Sequence, residues 1–293
     1  MTASCTTQSP ARDTAEPSAS PDDRLHPIKV VSFNIRYPNR NDGPDYWGNR
    51  KHRVVQTLER LAPDVFGIQE AYDHQAQYLL DEMPGYVMIG VGRDDGQHAG
   101  EMTAIFYHTQ RLALLDYGHL WLSDTPDVPG SVGWDASMTR MATWLVLGDR
   151  WTGQTWLVVN THFDHRGAVA RVESAKLLGR FIQAKCDELG PEASAVLMGD
   201  FNSAVDSAPY AALCEDPDGP ALRDTFVVAR QRDAAAAGEG TFNGFRGRTD
   251  SARIDWVLAT PGVVVEQAGI DRVQVEGRNP SDHDPVWAVL RRE

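Results

Sequence analysis

The amino-acid sequence predicts an α/β protein in which two mixed β-sheets pack together and helices cover their outer faces. Two observations support this prediction. Short apolar runs that end in polar residues, typical of buried strands, alternate with stretches of helical period. Their order is mixed: strands and helices alternate at first, then hairpins appear, then further strands. A doubly wound domain would alternate more regularly and carry a G-x-G-x-x-G motif after its first strand, which is absent here.

The first half of the chain contains three predicted strands and two predicted helices. In the stretch 50–61, Val54, Leu58 and Leu61 recur at the spacing of one helix face. The predicted strands cover 28–36, 64–70 and 103–108, and the predicted helices cover 50–61 and 76–83.

The second half begins with a predicted hairpin, in which two β-rich runs flank the turn "RWTGQ". The longest predicted helix follows, and strands dominate the remainder. The predicted strands are 142–149, 155–163, 195–201, 253–259 and 286–292, and the helices are 169–189 and 209–215. We expect a single domain over 28–293.

The N-terminal segment, residues 1–27, differs in composition from the rest. It is rich in Ser, Thr, Ala, Pro and Asp and has almost no large apolar residues, so we expect it to be disordered. It lacks the apolar region of a signal peptide, which favours a cytoplasmic protein. Alternatively, the small residues before Cys5 and the Ser/Pro-rich stretch after it resemble a lipoprotein tether, which would require a start further upstream and an exported protein.

The charge balance limits the class of substrate. The chain has 28 Lys and Arg against 41 Asp and Glu, a formal charge of −13, and its four lysines are scattered. Binding of long duplex DNA depends on phosphate neutralisation by basic residues. The sequence therefore favours a small substrate, or a short strand held through a metal. No apolar run reaches the roughly 18 residues of a membrane span, and we expect a monomer.

Most predicted strands end, or begin, at polar residues that suit one kind of site. These residues are Asn, Asp, Glu and His, with no cysteine among them, and we expect them to converge at one rim of the sheets. Such oxygen-rich sets favour Mg²⁺ or Mn²⁺, whereas the paired spacings of zinc ligands are absent. Acid, amide and imidazole groups around such a metal favour metal-assisted phosphoester hydrolysis. The residues concerned are Asn34, Glu70, His162, Asp164, Asp200, Asn202, Asp255, Asp282 and His283.

Seven short motifs occur in an order that resembles a known superfamily. They are "SFNIR", "GIQE", "GEMTAIFYH", "NTHFDH", "GDFN", "RIDWV" and "SDHDP". Together they are similar to the motif set of the endonuclease/exonuclease/phosphatase (DNase I-like) superfamily, over about residues 28–292. Loops such as "NDGPDYWGNR" and "EGTFNGF" resemble those of a bacterial branch. The resemblance implies a four-layer α/β sandwich.

The resemblance also implies metal-binding residues. Glu70 matches the metal-ligand glutamate of the family, and Asp282 matches an aspartate near the metal. Asn34 matches the asparagine that helps to position metal and phosphate. The metal expected on this basis is Mg²⁺ or Mn²⁺.

The catalytic roles implied by the resemblance centre on Asp200, as the general base or as the residue that orients the attacking water. Asn202 would hold a non-bridging oxygen, and strand periodicity places it on the same face as Asp200. His283 would bind the phosphate, stabilise its charge or transfer a proton, and Asp255 would orient it. His162 matches a second histidine, whose imidazolium would stabilise the transition state, and Glu101 matches its carboxylate partner.

Further residues have two open interpretations each. Arg140 would clamp a phosphate or form an ion pair at the rim. Asp164 would shape the pocket or cap the following helix. Trp47 and Trp134 lie in polar loops, where they would either cover the pocket and stack on a base or sugar, or anchor their loops.

Taken together, the sequence predicts a divalent-metal-dependent phosphoester hydrolase of the phosphodiesterase or nuclease type, in which water attacks phosphorus in line. One alternative is a phosphatase or phosphodiesterase that acts on a small sugar or inositol phosphate. A second alternative, from a different class, is a non-catalytic binding module with the same fold.

Overall fold

Two six-stranded β-sheets stack face to face and carry helices on their outer faces. This architecture is that of a computed structural model, which describes residues 26–216, 219–231 and 238–293. The disordered segment expected over 1–27 lies outside the described residues, except for His26 and Pro27. The four-layer α/β sandwich predicted from the sequence is confirmed.

The first sheet has the strand order β11-β12-β1-β2-β4-β3, and its central pair β1/β2 is parallel. Helices α1 (Trp47–Leu61) and α2 (Asp73–Glu82) cover its outer face, and a 3₁₀ helix (Arg40–Asp45) precedes α1. The strands are β1 (Ile28–Asn34), β2 (Val65–Gln69), β3 (Tyr86–Ile89), β4 (Ile105–His108), β11 (Val263–Ile270) and β12 (Val286–Arg292).

The second sheet repeats this plan with the order β5-β6-β7-β8-β10-β9 and a central parallel pair, β7/β8. Helices α3 (Ala168–Leu189) and α4 (Ala208–Cys214) pack on its outer face, and α5 (Thr225–Arg230) follows β9. The strands are β5 (Leu112–Trp121), β6 (Met141–Asp149), β7 (Thr155–His162), β8 (Ala193–Asp200), β9 (Arg223–Asp224) and β10 (Asp255–Ala259).

Three apolar clusters hold the layers together. The central cluster lies between the sheets and includes Val30, Trp156 and Met198. A second cluster packs α3 and α4 against the second sheet, and a third cluster packs α1 and α2 against the first sheet. Burial of these side chains provides the main favourable free energy of folding.

The parallel pairs determine where the functional residues meet. Asn34 pairs with Gln69 at the end of β1/β2, and His162 pairs with Asp200 at the end of β7/β8. Asp255, the first residue of β10, also lies opposite Asp200. The two sheets therefore bring their polar strand ends to one rim.

The sequence prediction missed β3, β5, β9, β11 and α5. Strands β3, β5, β9 and β11 form the four sheet edges, and β5 and β11 each contain a register shift. Edge strands are half exposed, so their apolar periodicity is weak and their pairing depends on the neighbouring strand. Among the described residues, no helix combines the length and the apolar character that crossing a membrane requires.

Candidate active site

A cavity of about 620 Å³ opens at the rim where the polar strand ends meet. Its floor is made of acids, histidines and one asparagine, and its walls include two arginines and two aromatic rings. The residues that bear on its chemistry are Arg36, Tyr37, Glu70, Glu101, Arg140, His162, His165, Asp200, Asn202, Phe242, Asp282 and His283.

Asn34 lies fully buried beneath the cavity and links two acids. Its Nδ2 donates to Glu70 Oε1 and to Asp200 Oδ2, each at 3.0 Å, while its Oδ1 accepts the Arg36 N–H. The group that faces the acids is therefore a donor, which does not ligate a metal. In this arrangement Asn34 positions Glu70 and Asp200, and its place at the metal site stays a prediction.

Asp200 and Asn202 converge, but not for the reason that strand periodicity suggested. Strand β8 ends at Asp200, and Asn202 adopts a left-handed conformation with φ 46°. The Asn202 N–H donates to Asp200 Oδ1 at 2.9 Å, which is an Asx turn. The Nδ2 of Asn202 donates to the Phe163 carbonyl and to His162 Nε2, both at 3.0 Å. Asn202 thus orients His162 at the cavity wall, and its contact with a non-bridging phosphate oxygen stays a prediction.

His283 and Asp255 form a buried pair, as the resemblance implied. His283 Nδ1 lies 2.9 Å from Asp255 Oδ2, and Nε2 lies 3.8 Å from Asp200 Oδ2. Burial lowers the pKa of His283, but the carboxylates of Asp255 and Asp200 outweigh it and raise that pKa well above its usual value. Burial and the charge of Asp255 raise the pKa of Asp200 to about 7. His283 therefore favours its cationic form, and Asp200 takes up a proton more readily than an exposed aspartate does.

His162 occupies a different electrostatic environment from His283. Burial, followed by the nearby charges of Arg140 and Arg93, lowers its pKa well below the usual value. Its Nδ1 is 3.9 Å from Glu101, whose carboxylate bonds Arg93 at 2.6 Å. The imidazolium expected at His162 is disfavoured here, whereas His283 fits that form.

Asp164 acts as a structural acid at the start of α3. Its Oδ1 accepts the N–H groups of Arg166 and Gly167, and its Oδ2 accepts from both the N–H and the hydroxyl of Ser137. Although burial raises the pKa of Asp164, these hydrogen bonds and the charge of Arg140 lower it to about 2. Of its two interpretations, support for the turn into the helix fits these contacts.

Arg140 is buried beside the cavity, and only some of its N–H donors are paired within the described part of the chain. Its Nη2 donates to His165 Nδ1 at 3.0 Å, and its Nε lies 3.6 Å from Asp164 Oδ2. Its Nε and Nη1 have no hydrogen-bond partner among the described residues. Burial lowers the pKa of Arg140. An unsatisfied buried donor is costly, which favours an anionic ligand at this wall.

The donor set suits a hard divalent cation. Glu70, His162 and Asp200 each offer a ligand atom, and these atoms lie within 4.8 Å of one another. The carboxylates of Glu70 and Asp282 also face one guanidinium, that of Arg36, at 3.9 and 3.5 Å. Carboxylate oxygens are the ligands that Mg²⁺ and Mn²⁺ prefer, so the residues present fit a divalent metal site.

Sequence reasoning overlooked several residues of the cavity wall. Arg36 lies in the motif "SFNIR" and Phe242 lies in the loop "EGTFNGF", but no role was predicted for either residue. Phe242 is 40% exposed and packs edge-on against His283. By contrast, Trp47 is buried at the start of α1 against Tyr78, and Trp134 does not line the cavity.

Comparison with known proteins places this chain in a family. The model of the Endonuclease/Exonuclease/phosphatase family matches residues 31–283. An endonuclease/exonuclease/phosphatase from Bacteroides vulgatus is 37% identical, with 91% of this chain and 99% of that chain covered and a TM-score of 0.81. A mannosyl-6-phosphatase from Bacteroides thetaiotaomicron is also 37% identical, with 90% and 99% covered and a TM-score of 0.80.

A more distant relative comes from Acanthamoeba polyphaga mimivirus. It is 32% identical in an alignment of 131 residues, with 39% of this chain but only 19% of the viral protein covered. The family match, in contrast, spans nearly the whole rim, from β1 to His283. The chain therefore belongs to the Endonuclease/Exonuclease/phosphatase family, and the resemblance seen in its motifs is confirmed.

Proposed function

We propose that this protein is a Mg²⁺- or Mn²⁺-dependent phosphoester hydrolase whose substrate is a small phosphate ester, of the sugar phosphate type. The main supporting observation is the position of Asp200, held between Asn34 and Asn202 at the floor of the cavity and faced by His162 and His283. An acid with polarised partners at the base of a cavity is suited to activate water.

Glu70 and Asp282 would hold the metal, and Asn34 would keep Glu70 in place through its 3.0 Å hydrogen bond. When bound, the metal supplies positive charge that neutralises the phosphoryl oxygens.

Asp200 accepts a proton from the attacking water while the water oxygen forms its bond to phosphorus. The bond between phosphorus and the ester oxygen breaks on the opposite side. His283, kept cationic by Asp255, stabilises the developing charge. The departing ester oxygen takes up one proton and leaves as the alcohol, which balances the proton that Asp200 accepted from water. Burial and the charges of Arg140 and Arg93 favour the neutral form of His162, and Asn202 and Glu101 would hold its ring in place at the cavity wall.

The preference for a small ester rests on charge, on cavity shape and on one relative. The formal charge of −13 disfavours a long polyanion, and the cavity of about 620 Å³ accommodates a molecule the size of a sugar phosphate. Phe242 and Tyr37 provide ring faces at its wall. One of the two relatives described above that are 37% identical over nearly their whole length is a mannosyl-6-phosphatase.

A substrate panel under metal control tests this proposal. Purified protein is assayed with mannose 6-phosphate, other hexose phosphates, p-nitrophenyl phosphate, bis-p-nitrophenyl phosphate and a short single-stranded oligonucleotide. We expect hydrolysis of a sugar phosphate that EDTA abolishes and that Mg²⁺ or Mn²⁺ restores. Preferred cleavage of the oligonucleotide would favour the nuclease alternative, and no hydrolysis of any ester would favour the binding module.

Replacing Arg140 by methionine is expected to lower kcat/KM by about 10²-fold, because the site loses a preorganised cation that faces the phosphoryl oxygens. Arg140→Lys should retain part of the activity, since it preserves charge but not the planar fork. Arg150→Met, at an exposed position in the β6–β7 turn, is the matched control. If Arg140→Met turned over as fast as this control, Arg140 would be an ion-pair residue only.

A further inference from the structure

Arg36 is held in an unusual backbone conformation at the edge of the cavity. Its φ is 59°, in the left-handed region that few residues other than glycine adopt. Its carbonyl accepts from Arg50 Nη2 at 2.8 Å and from Gln75 Nε2 at 3.0 Å. Such a conformation persists only where the surroundings enforce it, and here they fix the direction of the side chain two residues beyond the end of β1.

The guanidinium of Arg36 is also held in place, through two of its three nitrogens. Its Nε and Nη2 form a bidentate pair with Asp42 at 3.2 Å, and its Cζ lies 4.3 Å from the centre of the Tyr37 ring. Its Nη1 has no hydrogen-bond acceptor among the described residues and lies 3.9 Å from Glu70 Oε2. The side chain is 22% exposed and lines the cavity.

This fixed charge lies beside the carboxylates that we assign to the metal. Arg36 approaches Glu70 at 3.9 Å and Asp282 at 3.5 Å. A cation at this position repels a divalent metal and attracts an anion. Three carboxylates, those of Asp42, Glu70 and Asp282, surround this cation. A metal held by Glu70 and Asp282 would compete with Arg36 for two of them, so we expect Arg36 to oppose metal binding and to be available to an anionic ligand.

We propose that Arg36 binds a terminal phosphate oxygen and makes the site select a doubly charged phosphate monoester over a singly charged diester. The inference rests on the proposed function and narrows its substrate class. At neutral pH a phosphate monoester carries up to one more charge than a diester, because its second pKa is about 6. It also has three terminal oxygens to bind. Arg36 on the Glu70 side and Arg140 on the His162 side provide two cations for them.

Arg36→Met tests the proposal through effects of opposite sign on two ligands. By calorimetry, we expect Mn²⁺ alone to bind the variant at least about fivefold more tightly than wild type, and inorganic phosphate to bind the Mn²⁺-loaded variant at least about fivefold more weakly. The ratio of kcat/KM for p-nitrophenyl phosphate to that for bis-p-nitrophenyl phosphate should fall by about tenfold. Arg36→Lys should keep Mn²⁺ affinity near wild type, since it keeps the charge.

Arg40→Met is the matched control, because Arg40 is exposed at the start of the 3₁₀ helix. If Arg36 only supported the fold or the metal ligands, Arg36→Met would weaken Mn²⁺ and phosphate binding together, and this result would overturn the proposal. An unchanged monoester-to-diester ratio would do the same. If the wild type hydrolysed neither ester, the proposed function would fail, while the two affinities would still report on Arg36.

Discussion

Replacing Asp200 by alanine is expected to lower the turnover of a phosphoester by about 10²-fold or more, as removal of a general base does. Asp200 is buried, lies within 4 Å of both His162 and His283, and bonds Asn34 at 3.0 Å. None of these neighbours is positioned to replace its carboxylate. His283→Ala should cause a loss of similar size, because it removes the cation beside the phosphoryl group. The measurement is kcat at saturating Mg²⁺ or Mn²⁺.

Asp200→Asn separates chemistry from folding. It preserves shape and removes a carboxylate whose charged form is disfavoured by burial, as the raised pKa of about 7 indicates. In chelator at neutral pH, the free energy of unfolding of this variant should therefore not fall below that of wild type. Asp206→Asn, at an exposed position of the same loop, is the control. Near-wild-type turnover in both Asp200→Ala and His283→Ala would contradict the assigned roles.

Replacing Asp224 by alanine is expected to lower the free energy of unfolding by about 3–5 kcal/mol, the cost of leaving a buried charge without its partner. Asp224 accepts from Arg253 at 2.7 Å, and both side chains are 2% exposed. Asp224 also accepts from the Tyr210 hydroxyl and caps α5 through the N–H groups of Phe226 and Val227. Denaturant unfolding with chelator present measures the effect.

Two further variants serve as controls for Asp224→Ala. Glu266→Ala breaks the more exposed pair with Arg291 and should cost at most about 1 kcal/mol. Adding Arg253→Met to Asp224→Ala should recover part of the loss, because the orphaned charge is then removed. A loss for Asp224→Ala no larger than that for Glu266→Ala would show that the buried pair contributes little.

The sequence alone determined the family, the two-sheet architecture and most of the rim. Strand ends are readable because each buried strand is an apolar run that stops at a polar residue, as at Asn34 and Asp200. Parallel neighbours end at the same sheet edge, so His162 and Asp200 had to meet once β7 and β8 paired. The edge strands β5 and β11 were missed because their pairing is decided by the adjacent strand.

Only the tertiary structure decided what each of these residues is able to do. His162 and His283 look alike in sequence, yet burial and two arginine charges lower the pKa of the first, whereas two carboxylates outweigh burial and raise the pKa of the second. Arg36 likewise gained significance only when Glu70 and Asp282 appeared beside it. The charge state of a side chain, and whether its donors are paired, depend on burial and on neighbours from remote strands. The local sequence reveals neither of these.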